Sequence, residues 1–347
     1  MINTIEFQIP LLTNSNDNLF CVCLSSITPM LLSCKVVPKD RPQALVNLTA
    51  NAFTDKTRKA RTVASLPDHS ADGPQAPRLK RMRNYTANIS FLFADRPFLD
   101  RIDAAEKCGF THVECHFPYQ FPIEVLKARL ANAGVSLTGL NTVPGDIKAG
   151  EWGVAALPGR EAEFRRDFDQ ALSYAAALGA SVIHVMAGVI SGNRGQALKT
   201  YISNLRMAAR LAAPKGITLL LEPLNTRDMP HYLVSRSDDI VSIVKDIGEP
   251  NVKLLFDVYH IQIMEGDLIK RLEKHRDSIG HVQIAAVPSR AEPDEGEVNF
   301  SAIFRALDAI DYRGLIGLEY KPRGRTEDGL SGMKKPCSGT RSTWTRR

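Results

Sequence analysis

The sequence predicts an α/β protein whose central part is a (β/α)8 barrel of the TIM type, and three observations lead to this fold class. Between Tyr85 and Tyr320, short apolar runs alternate with stretches that carry apolar residues at helical spacing. Eight such units fit into this segment at about 30 residues each, the length of a strand with its crossover helix. No GxGxxG, GxxxxGKS or GxxxxGKT motif follows any predicted strand, which disfavours an open nucleotide-binding sheet.

Each predicted strand is a run of β-branched, aromatic or aliphatic residues that ends close to a polar residue, a proline or a glycine. Since parallel neighbours need a crossover connection, a helix is expected after every strand. The strands are predicted over the segments 85–91, 111–115, 135–141, 181–188, 217–223, 252–257, 279–285 and 314–320.

The predicted helices have a period of 3.6 residues and recognisable ends. Several end at or just before a glycine, which accepts the left-handed backbone at a helix C-terminus: Gly109, Gly134, Gly179, Gly216 and Gly248. The stretch 327–335 is short and irregular for an eighth helix. The other helices are predicted over about 97–107, 123–133, 160–178, 195–213, 237–247, 267–275 and 300–310.

The composition is that of an ordinary globular protein of 347 residues, with 24% charged and 44% hydrophobic side chains. It excludes collagen-like, mucin-like and wholly disordered chains. Six cysteines in a chain of this length do not form a disulfide framework, and their spacing is not that of a zinc knuckle. A reducing, cytoplasmic setting is therefore expected.

The net charge of +6 is concentrated at the two ends of the chain. Residues 1–81 carry 10 Lys and Arg against 6 Asp and Glu, and residues 334–347 carry 5 basic residues and no acidic one. The intervening residues, 82–333, hold 29 basic and 32 acidic residues, a net charge of −3. This balance argues against a nucleic-acid-binding surface on the folded part and favours a small-molecule partner.

Three segments follow from these patterns: a disordered or non-family extension over 1–81, the barrel domain over 82–333, and a disordered basic tail over 334–347. The apolar stretch 19–34 is interrupted by Pro29 and is too short to span a bilayer, so no membrane partner is expected. No Lys or Arg precedes it, as a secretory signal would require. Mitochondrial targeting by the extension is an alternative that its frequent acidic residues weaken.

Four consecutive predicted strands carry a polar residue at or near their carboxyl ends: Glu222, Asp257, Gln283 and Glu319. A barrel of this type places its chemistry at the carboxyl ends of its strands, so these side chains are expected to converge in one mouth. Three carboxylates and one amide oxygen would repel one another without a cation, and hard divalent ions such as Mg²⁺ and Mn²⁺ prefer oxygen ligands. Each residue taken alone is equally well explained as a loop cap or an ion-pair partner.

Long motifs in the same part of the chain resemble the hydroxypyruvate isomerase family, which belongs to the xylose-isomerase-like barrels. The resemblance covers about residues 82–329 and excludes both ends. It rests on LLLEPLNTRDMP (219–230), LLFDVYHIQIMEGDL (254–268), GHVQIAAVPSRAEPDEGEVNF (280–300) and LEYKPRG (318–324), with NYTANISFLF, VECHFPY, ALPGREAEFR and IHVMAG earlier in the chain.

The resemblance implies that the protein interconverts hydroxypyruvate and tartronate semialdehyde through an enediolate. Glu222 and Glu319 match the paired glutamates of that family and would be its proton donor and acceptor. The wider superfamily implies that Asp257 and Gln283 join them in holding the metal. Gln283 stands where many sugar isomerases and epimerases have His, which disfavours Zn²⁺. Barrels of this family commonly associate, so a homo-oligomer is also implied.

Four further residues are candidates for binding the substrate. His260 lies three residues after Asp257 and donates to a substrate oxygen or caps the following segment. His184 lies in the fourth strand, and Asp228 binds a substrate hydroxyl or orients Arg227. Arg290 is the preferred partner of a substrate carboxylate, because a guanidinium binds a carboxylate through two hydrogen bonds. Two residues that end the second and third strands either line the pocket or support a loop: Glu114 and Asn141.

Three alternatives to the isomerase stay open on these residues. A keto-sugar 3-epimerase or isomerase would use the same proton chemistry on a larger substrate. A catalytically inactive barrel would act as a binding protein. DNA repair on this barrel type would need several zinc ligands and a basic face, which the central segment lacks.

Overall fold

The computed structural model describes residues 85–330 with their side chains and, before them, the backbone of three strands, Gln8–Ile9, Leu19–Leu24 and Ser33–Pro38. These three strands pair antiparallel in one small sheet. The chain divides into two compact units, Met1–Gln75 and Ala76–Arg347. Apart from these three strands, the predicted extension over 1–81 lies outside the described residues, as does the predicted basic tail over 334–347, so both stay predictions.

The second unit contains the parallel barrel that the strand–helix alternation predicts. Within residues 85–330, nine strand segments form one sheet, and its two edge segments, Ser136–Leu137 and Gly139–Asn141, are separated in the chain only by Thr138. The Thr138 N–H donates to the Val113 carbonyl at 2.7 Å, and its carbonyl accepts from the Ser181 N–H at 3.0 Å. The two edge segments are thus halves of the third strand, and eight strands close the barrel. The other strands are Tyr85–Asn88, His112–Glu114, Val182–His184, Thr218–Leu221, Val252–Asp257, Ile279–Ile284 and Ile316–Leu318.

Helices follow the strands and bury one apolar face. In the helix Ser237–Ile247, for example, Ile240, Ile243 and Ile247 are buried at helical spacing. The expected glycine ends are present, since Gly134, Gly179 and Gly248 take positive φ angles of 66°, 74° and 75°. The longer helices are Phe98–Lys107, Ile123–Ala133, Glu161–Leu178, Arg194–Ala212, Ser237–Ile247, Leu268–His275 and Phe300–Ala309, and two short ones are Val258–Met264 and Thr326–Leu330.

The short helix Val258–Met264 precedes the helix predicted over 267–275, and it matters for the site. It begins directly after the sixth strand, where the Asp257 side chain accepts a hydrogen bond from the Tyr259 N–H at 2.7 Å and caps it. His260 therefore lies in the first turn of a helix. The last helix, Thr326–Leu330, covers the described part of the predicted eighth helix.

The barrel interior is not purely apolar. Residues two apart on a strand share a face, and two such pairs are buried polar residues: Thr86 with Asn88, and His281 with Gln283. The surrounding apolar core is continuous from the strands to the helices. In the part of the chain that the structure describes, no helix has the length and apolar character needed to cross a bilayer.

Candidate active site

The four strand-end residues singled out in the sequence lie together at the carboxyl end of the barrel, as predicted. Glu222, Asp257, Gln283 and Glu319 are between 1% and 7% exposed. Asp257 and Gln283 are register partners on neighbouring strands, and the Gln283 Nε2 donates to Glu319 Oε2 at 2.7 Å. Parallel strands that are consecutive in the barrel bring their carboxyl ends to the same rim, which explains why residues 26 to 97 positions apart in sequence meet there.

Three oxygens in this cluster are buried and have no hydrogen-bond partner within residues 85–330: Glu222 Oε1, Asp257 Oδ2 and Gln283 Oε1. Buried acceptors of this kind are uncommon unless an ion or a ligand satisfies them. One carboxylate oxygen of Glu222 and one of Asp257 lie within 4.8 Å of each other and of a ring nitrogen of His260. The donor set is rich in oxygen, so the residues present fit a divalent cation such as Mg²⁺ or Mn²⁺.

Glu319 differs from the other carboxylates because donors surround it. Its Oε2 accepts from Asn88 Nδ2 at 2.8 Å and from Gln283 Nε2, and its Oε1 accepts from Arg290 Nη2 at 2.8 Å. His116 Nε2 lies 3.5 Å from Oε2. Burial by itself would raise the pKa of Glu319, but His116 and Arg290 outweigh it and lower that pKa to about 2. Glu319 is therefore ionised at neutral pH.

Glu222 and Asp257 show the opposite tendency. Burial, together with the charges of Glu319 and Asp257, raises the pKa of Glu222 well above its ordinary value. Burial and the charge of Glu319 raise the pKa of Asp257 to about 7, although Arg290 opposes the shift. The folded chain thus disfavours negative charge on both residues, which is the electrostatic signature of a pocket that a cation would stabilise.

His260 points at the same two carboxylates. Its Nε2 lies 3.9 Å from Glu222 Oε1 and 3.9 Å from Asp257 Oδ2. Its Nδ1 accepts the Asn225 backbone N–H at 2.9 Å, and since a backbone N–H can only donate, the imidazole proton resides on Nε2. Burial, with the charge of Arg290, lowers the pKa of His260 to about 3. His260 is a neutral donor facing the pocket, and its Nε2 has no lone pair for a metal in this tautomer.

His184, the second histidine predicted to bind substrate, also reaches the site. Its Nδ1 lies 3.5 Å from Glu222 Oε2, and its Nε2 is buried without a partner among the described residues. Burial lowers the pKa of His184 to about 4, so this ring is neutral as well.

Arg290 lies at the edge of the cluster, held between two aromatic rings. Its guanidinium carbon is 4.9 Å from the centroid of Phe91 and 4.9 Å from that of Tyr259. Besides the contact with Glu319, its Nη1 lies 3.9 Å from Asp228, and its Nε is buried with no partner in the described part of the chain. The prediction that Arg290 faces the pocket agrees with this placement, but one of its terminal nitrogens already donates a hydrogen bond to Glu319.

The backbone of Arg290 is in the left-handed region, with a φ of 57°. This conformation is unfavourable for a residue with a side chain and is kept only where neighbouring contacts impose it. The Arg290 N–H donates to the Ala286 carbonyl at 2.8 Å, and its carbonyl accepts from the Lys321 N–H at 2.7 Å. These two hydrogen bonds fix the loop after the seventh strand and aim the guanidinium inwards.

Asp228 lies further out, with its side chain 35% exposed. Its Oδ2 accepts from the Tyr259 hydroxyl at 2.8 Å and from Asn225 Nδ2 at 3.2 Å. These contacts go to Tyr259 and Asn225, not to the predicted partner Arg227. Asp228 therefore helps to hold the ring that packs on Arg290, and a direct role in substrate binding stays a prediction.

Sequence reasoning missed a second polar layer of the site. Glu114 was considered as a pocket or loop residue, and the structure buries it in the barrel beside Gln283 and His281. Asn88 and His116, which contact Glu319, were not singled out at all. His116 directly follows the predicted second strand, so its position could have indicated it. Asn88 lies inside the predicted first strand, 85–91, and only the structure ends that strand at Asn88. The backbone carbonyl of Asn141 accepts from the Tyr119 hydroxyl, and whether its side chain lines the pocket or supports a loop stays open.

Comparison with known proteins agrees with this architecture. The family model described as "Xylose isomerase-like TIM barrel" matches residues 102–335. The 2-oxo-tetronate isomerase of Cupriavidus necator is 47% identical over 260 residues, which are 74% of this chain and 100% of that protein. The hydroxypyruvate isomerase of Escherichia coli K12 is 41% identical over 254 residues, covering 73% of this chain and 98% of that protein. A crystal structure described as AP endonuclease, family 2, from Brucella melitensis is 46% identical, covers 72% of this chain and 97% of that chain, and superposes with a TM-score of 0.71.

Proposed function

The chain belongs to the xylose isomerase-like TIM-barrel family and is a keto-acid isomerase; we propose that it acts on short 2-oxo-3-hydroxy acids by moving a proton between C3 and C2. Hydroxypyruvate would become tartronate semialdehyde in this reaction. No co-reactant is needed, because the proton that leaves C3 is replaced by one at C2 and the two oxygens exchange their bond orders through an enediolate.

The observation that carries the proposal is the set of three partnerless buried oxygens beside the ionised Glu319. Glu222 Oε1, Asp257 Oδ2 and Gln283 Oε1 would be costly to bury in this way without a positive partner. We propose that Glu222, Asp257, Gln283 and Glu319 hold Mg²⁺ or Mn²⁺. When bound, the cation supplies positive charge next to the substrate oxygens on which negative charge develops.

The side chains around this cluster suit a small keto acid. Glu222 and Glu319 are the paired glutamates, one removing the C3 proton and the other returning a proton to C2. General acid–base help of this kind is worth on the order of 10²–10⁴ in rate. His260 presents its Nε2–H towards the pocket and would donate to a substrate oxygen. Arg290, with its unpartnered Nε, would bind the substrate carboxylate.

Two relatives suggest two chain lengths for the substrate. Hydroxypyruvate has three carbons, and 2-oxo-tetronate carries one more hydroxymethyl group on the same carboxylate, keto and hydroxyl unit. Since the residues of the site would contact only that shared unit, they support both substrates. The higher identity to the 2-oxo-tetronate isomerase favours the four-carbon acid as the better substrate.

The test is a direct assay of the purified full chain. Hydroxypyruvate and 2-oxo-tetronate are supplied separately, before and after treatment with a chelator and after re-addition of Mn²⁺. We expect turnover of at least one acid, loss on chelation and recovery with Mn²⁺. Absence of turnover with both acids in the presence of Mn²⁺ would refute the proposed substrate class, and turnover unaffected by exhaustive chelation would refute the metal.

The Brucella relative makes DNA containing abasic sites a second substrate class to exclude. The net charge of −3 over residues 82–333 does not favour a polyanion. An incision assay on a duplex with one abasic site, run beside the keto-acid assay with the same Mn²⁺ stock, separates the two. We expect no incision above the background of the Glu222→Gln variant. Ketohexoses in the same isomerase assay test the keto-sugar alternative.

A further inference from the structure

Gln283 poses a problem that a carboxylate would not. An amide side chain has an oxygen, which can contact a cation, and an NH2 group, which would repel one. The two orientations occupy the same volume, so packing alone does not choose between them. If Gln283 is to face a cation with its oxygen, other residues must determine the orientation of the amide.

The structure contains such residues on the side of Gln283 away from its free oxygen. Its Nε2 donates to Glu114 Oε1 at 2.8 Å and to Glu319 Oε2 at 2.7 Å. Both hydrogens of the NH2 group are thus donated to carboxylates, while Oε1 is buried and has no partner among the side chains and backbone that the structure describes. The reversed amide would place its oxygen against two carboxylate oxygens at the same distances and is strongly disfavoured.

Glu114 is itself held in place from the other side. His281 Nε2 lies 2.9 Å from Glu114 Oε2, and Asn88 Nδ2 lies 3.4 Å from Oε1. The Glu114 side chain also accepts from Gln283 Nε2, and Glu114 is only 5% exposed. Both of its oxygens are thus held by neighbouring side chains inside the barrel. Burying a carboxylate is costly, so a role for this one is expected.

The eighth strand leaves room for this arrangement. Gly317 is the register partner of Gln283, and a Cβ there would lie 2.5 Å from Glu114 Oε1, 2.7 Å from Gln283 Cγ and 3.1 Å from His281 Nε2. Any larger residue would push the three side chains apart. The absence of a side chain at this strand position is therefore what allows the carboxylate of the second strand to reach the amide of the seventh.

We propose that Glu114, braced by His281 and accommodated by Gly317, is a positioning residue that fixes the Gln283 amide with its oxygen towards the cation. The inference rests on the metal site of the proposed function. Residues of this kind, which orient a ligand without touching the metal, typically change metal affinity by 10–100-fold when replaced.

The test measures Mn²⁺ binding by the full chain, from the electron paramagnetic resonance signal of free Mn²⁺, in wild type and two variants. Glu114→Gln removes the charge and keeps the shape, and Glu114→Asp keeps the charge but withdraws the carboxylate from Gln283. We expect both variants to weaken Mn²⁺ binding by about 10–100-fold. If Glu114→Asp binds as wild type does, the charge of Glu114 matters and not its contact with Gln283, and the inference is overturned.

A double-mutant cycle decides whether the effect passes through Gln283. In a Gln283→Met background, where there is no amide to orient, Glu114→Gln is expected to change the Mn²⁺ dissociation constant by less than twofold. If Glu114→Gln weakens Mn²⁺ binding by the same factor in the Gln283→Met background as in wild type, the inference is overturned. Glu265→Gln is the matched control, because Glu265 is an equally buried carboxylate, 1% exposed, that pairs with Arg271 at 2.8 Å away from the site. Its Mn²⁺ affinity should stay within twofold of wild type.

The outcomes separate this inference from the proposed function. If the expected changes in Mn²⁺ affinity occur in a protein that turns over neither keto acid, the positioning role of Glu114 stands and the substrate assignment fails. If the wild type turns over a keto acid but binds no Mn²⁺, the positioning role and the metal site are both overturned.

Discussion

Replacing Asp257 by Asn should make the metal-free protein more stable, although Asp257 lies at the centre of the proposed site. Burial and the charge of Glu319 raise the pKa of Asp257 from 3.8 to about 7. An acid with a raised pKa in the folded state binds its proton more tightly there than in the unfolded chain. Asp257 therefore lowers the free energy of unfolding, by an amount that grows as the pH rises from 3.8 and becomes constant above about 7.

The size of the effect follows from the shift. Roughly three pKa units at 1.36 kcal/mol each correspond to about 4 kcal/mol at pH 8, falling to about 2 kcal/mol at pH 5. The amide cannot ionise, so the variant escapes this cost. It also keeps an oxygen that can accept the Tyr259 N–H, the 2.7 Å hydrogen bond that caps the following helix. The fold should therefore be preserved.

The measurement is urea denaturation of wild type and Asp257→Asn in the presence of a chelator at pH 5 and pH 8. We expect the variant to be the more stable protein at both values, by a margin that is about 2 kcal/mol larger at pH 8. Addition of Mn²⁺ should raise the stability of wild type more than that of the variant, because the variant lacks one of the proposed carboxylate ligands. A variant that is less stable than wild type at pH 8 without metal would refute the reasoning, since it would show that the carboxylate is favourably placed in the empty pocket.

Three further predictions address other parts of the site. Glu222→Gln should lower kcat by about 10²–10⁴, because it removes a proton carrier. It should not lower stability, because it also removes the repulsion between Glu222 and the neighbouring carboxylates. Near-wild-type turnover in a steady-state assay would contradict the role of this residue. Gly317→Ala should lower the free energy of unfolding by about 1–3 kcal/mol, because the new Cβ would lie 2.5 Å from Glu114 Oε1. Unchanged urea denaturation curves would show that the buried polar side chains around Gly317 can move apart at little cost. Arg290→Lys should raise KM for the keto acid by on the order of tenfold or more, since an ammonium replaces neither the planar fork nor the stacking on Phe91 and Tyr259. An unchanged KM in that variant would show that a different cationic side chain binds the substrate carboxylate.

The four residues at the pocket could be found from the sequence because strand order alone decides which strand ends meet. Glu222, Asp257, Gln283 and Glu319 each interrupt an apolar run, one strand–helix unit apart, and the barrel geometry places such residues on one rim. The positions of Arg290 and His260 near that rim follow from the same argument. Their atomic roles do not, because sequence spacing says nothing about which nitrogen carries a proton or which oxygen is already bonded.

The contacts that distinguish the carboxylates come from residues far away in the chain. Glu114 lies 169 residues from Gln283, and Asn88 lies 231 residues from Glu319. They meet because the barrel closes, which brings the first and second strands beside the seventh and eighth. Sequence patterns report local periodicity and cannot reveal such a meeting across the barrel.

The amino-acid sequence by itself determined the number and order of the strands, the helix ends at glycine, and the rim on which chemistry would occur. These features depend on interactions within one unit of about 30 residues, so they are visible in local pattern. Only the tertiary structure decided that Glu319 is ionised while Glu222 and Asp257 resist ionisation, that His260 is a donor, and that the Gln283 amide is oriented by Glu114. Each of these depends on burial and on the distance between charges contributed by different strands, and both quantities exist only once the barrel has closed.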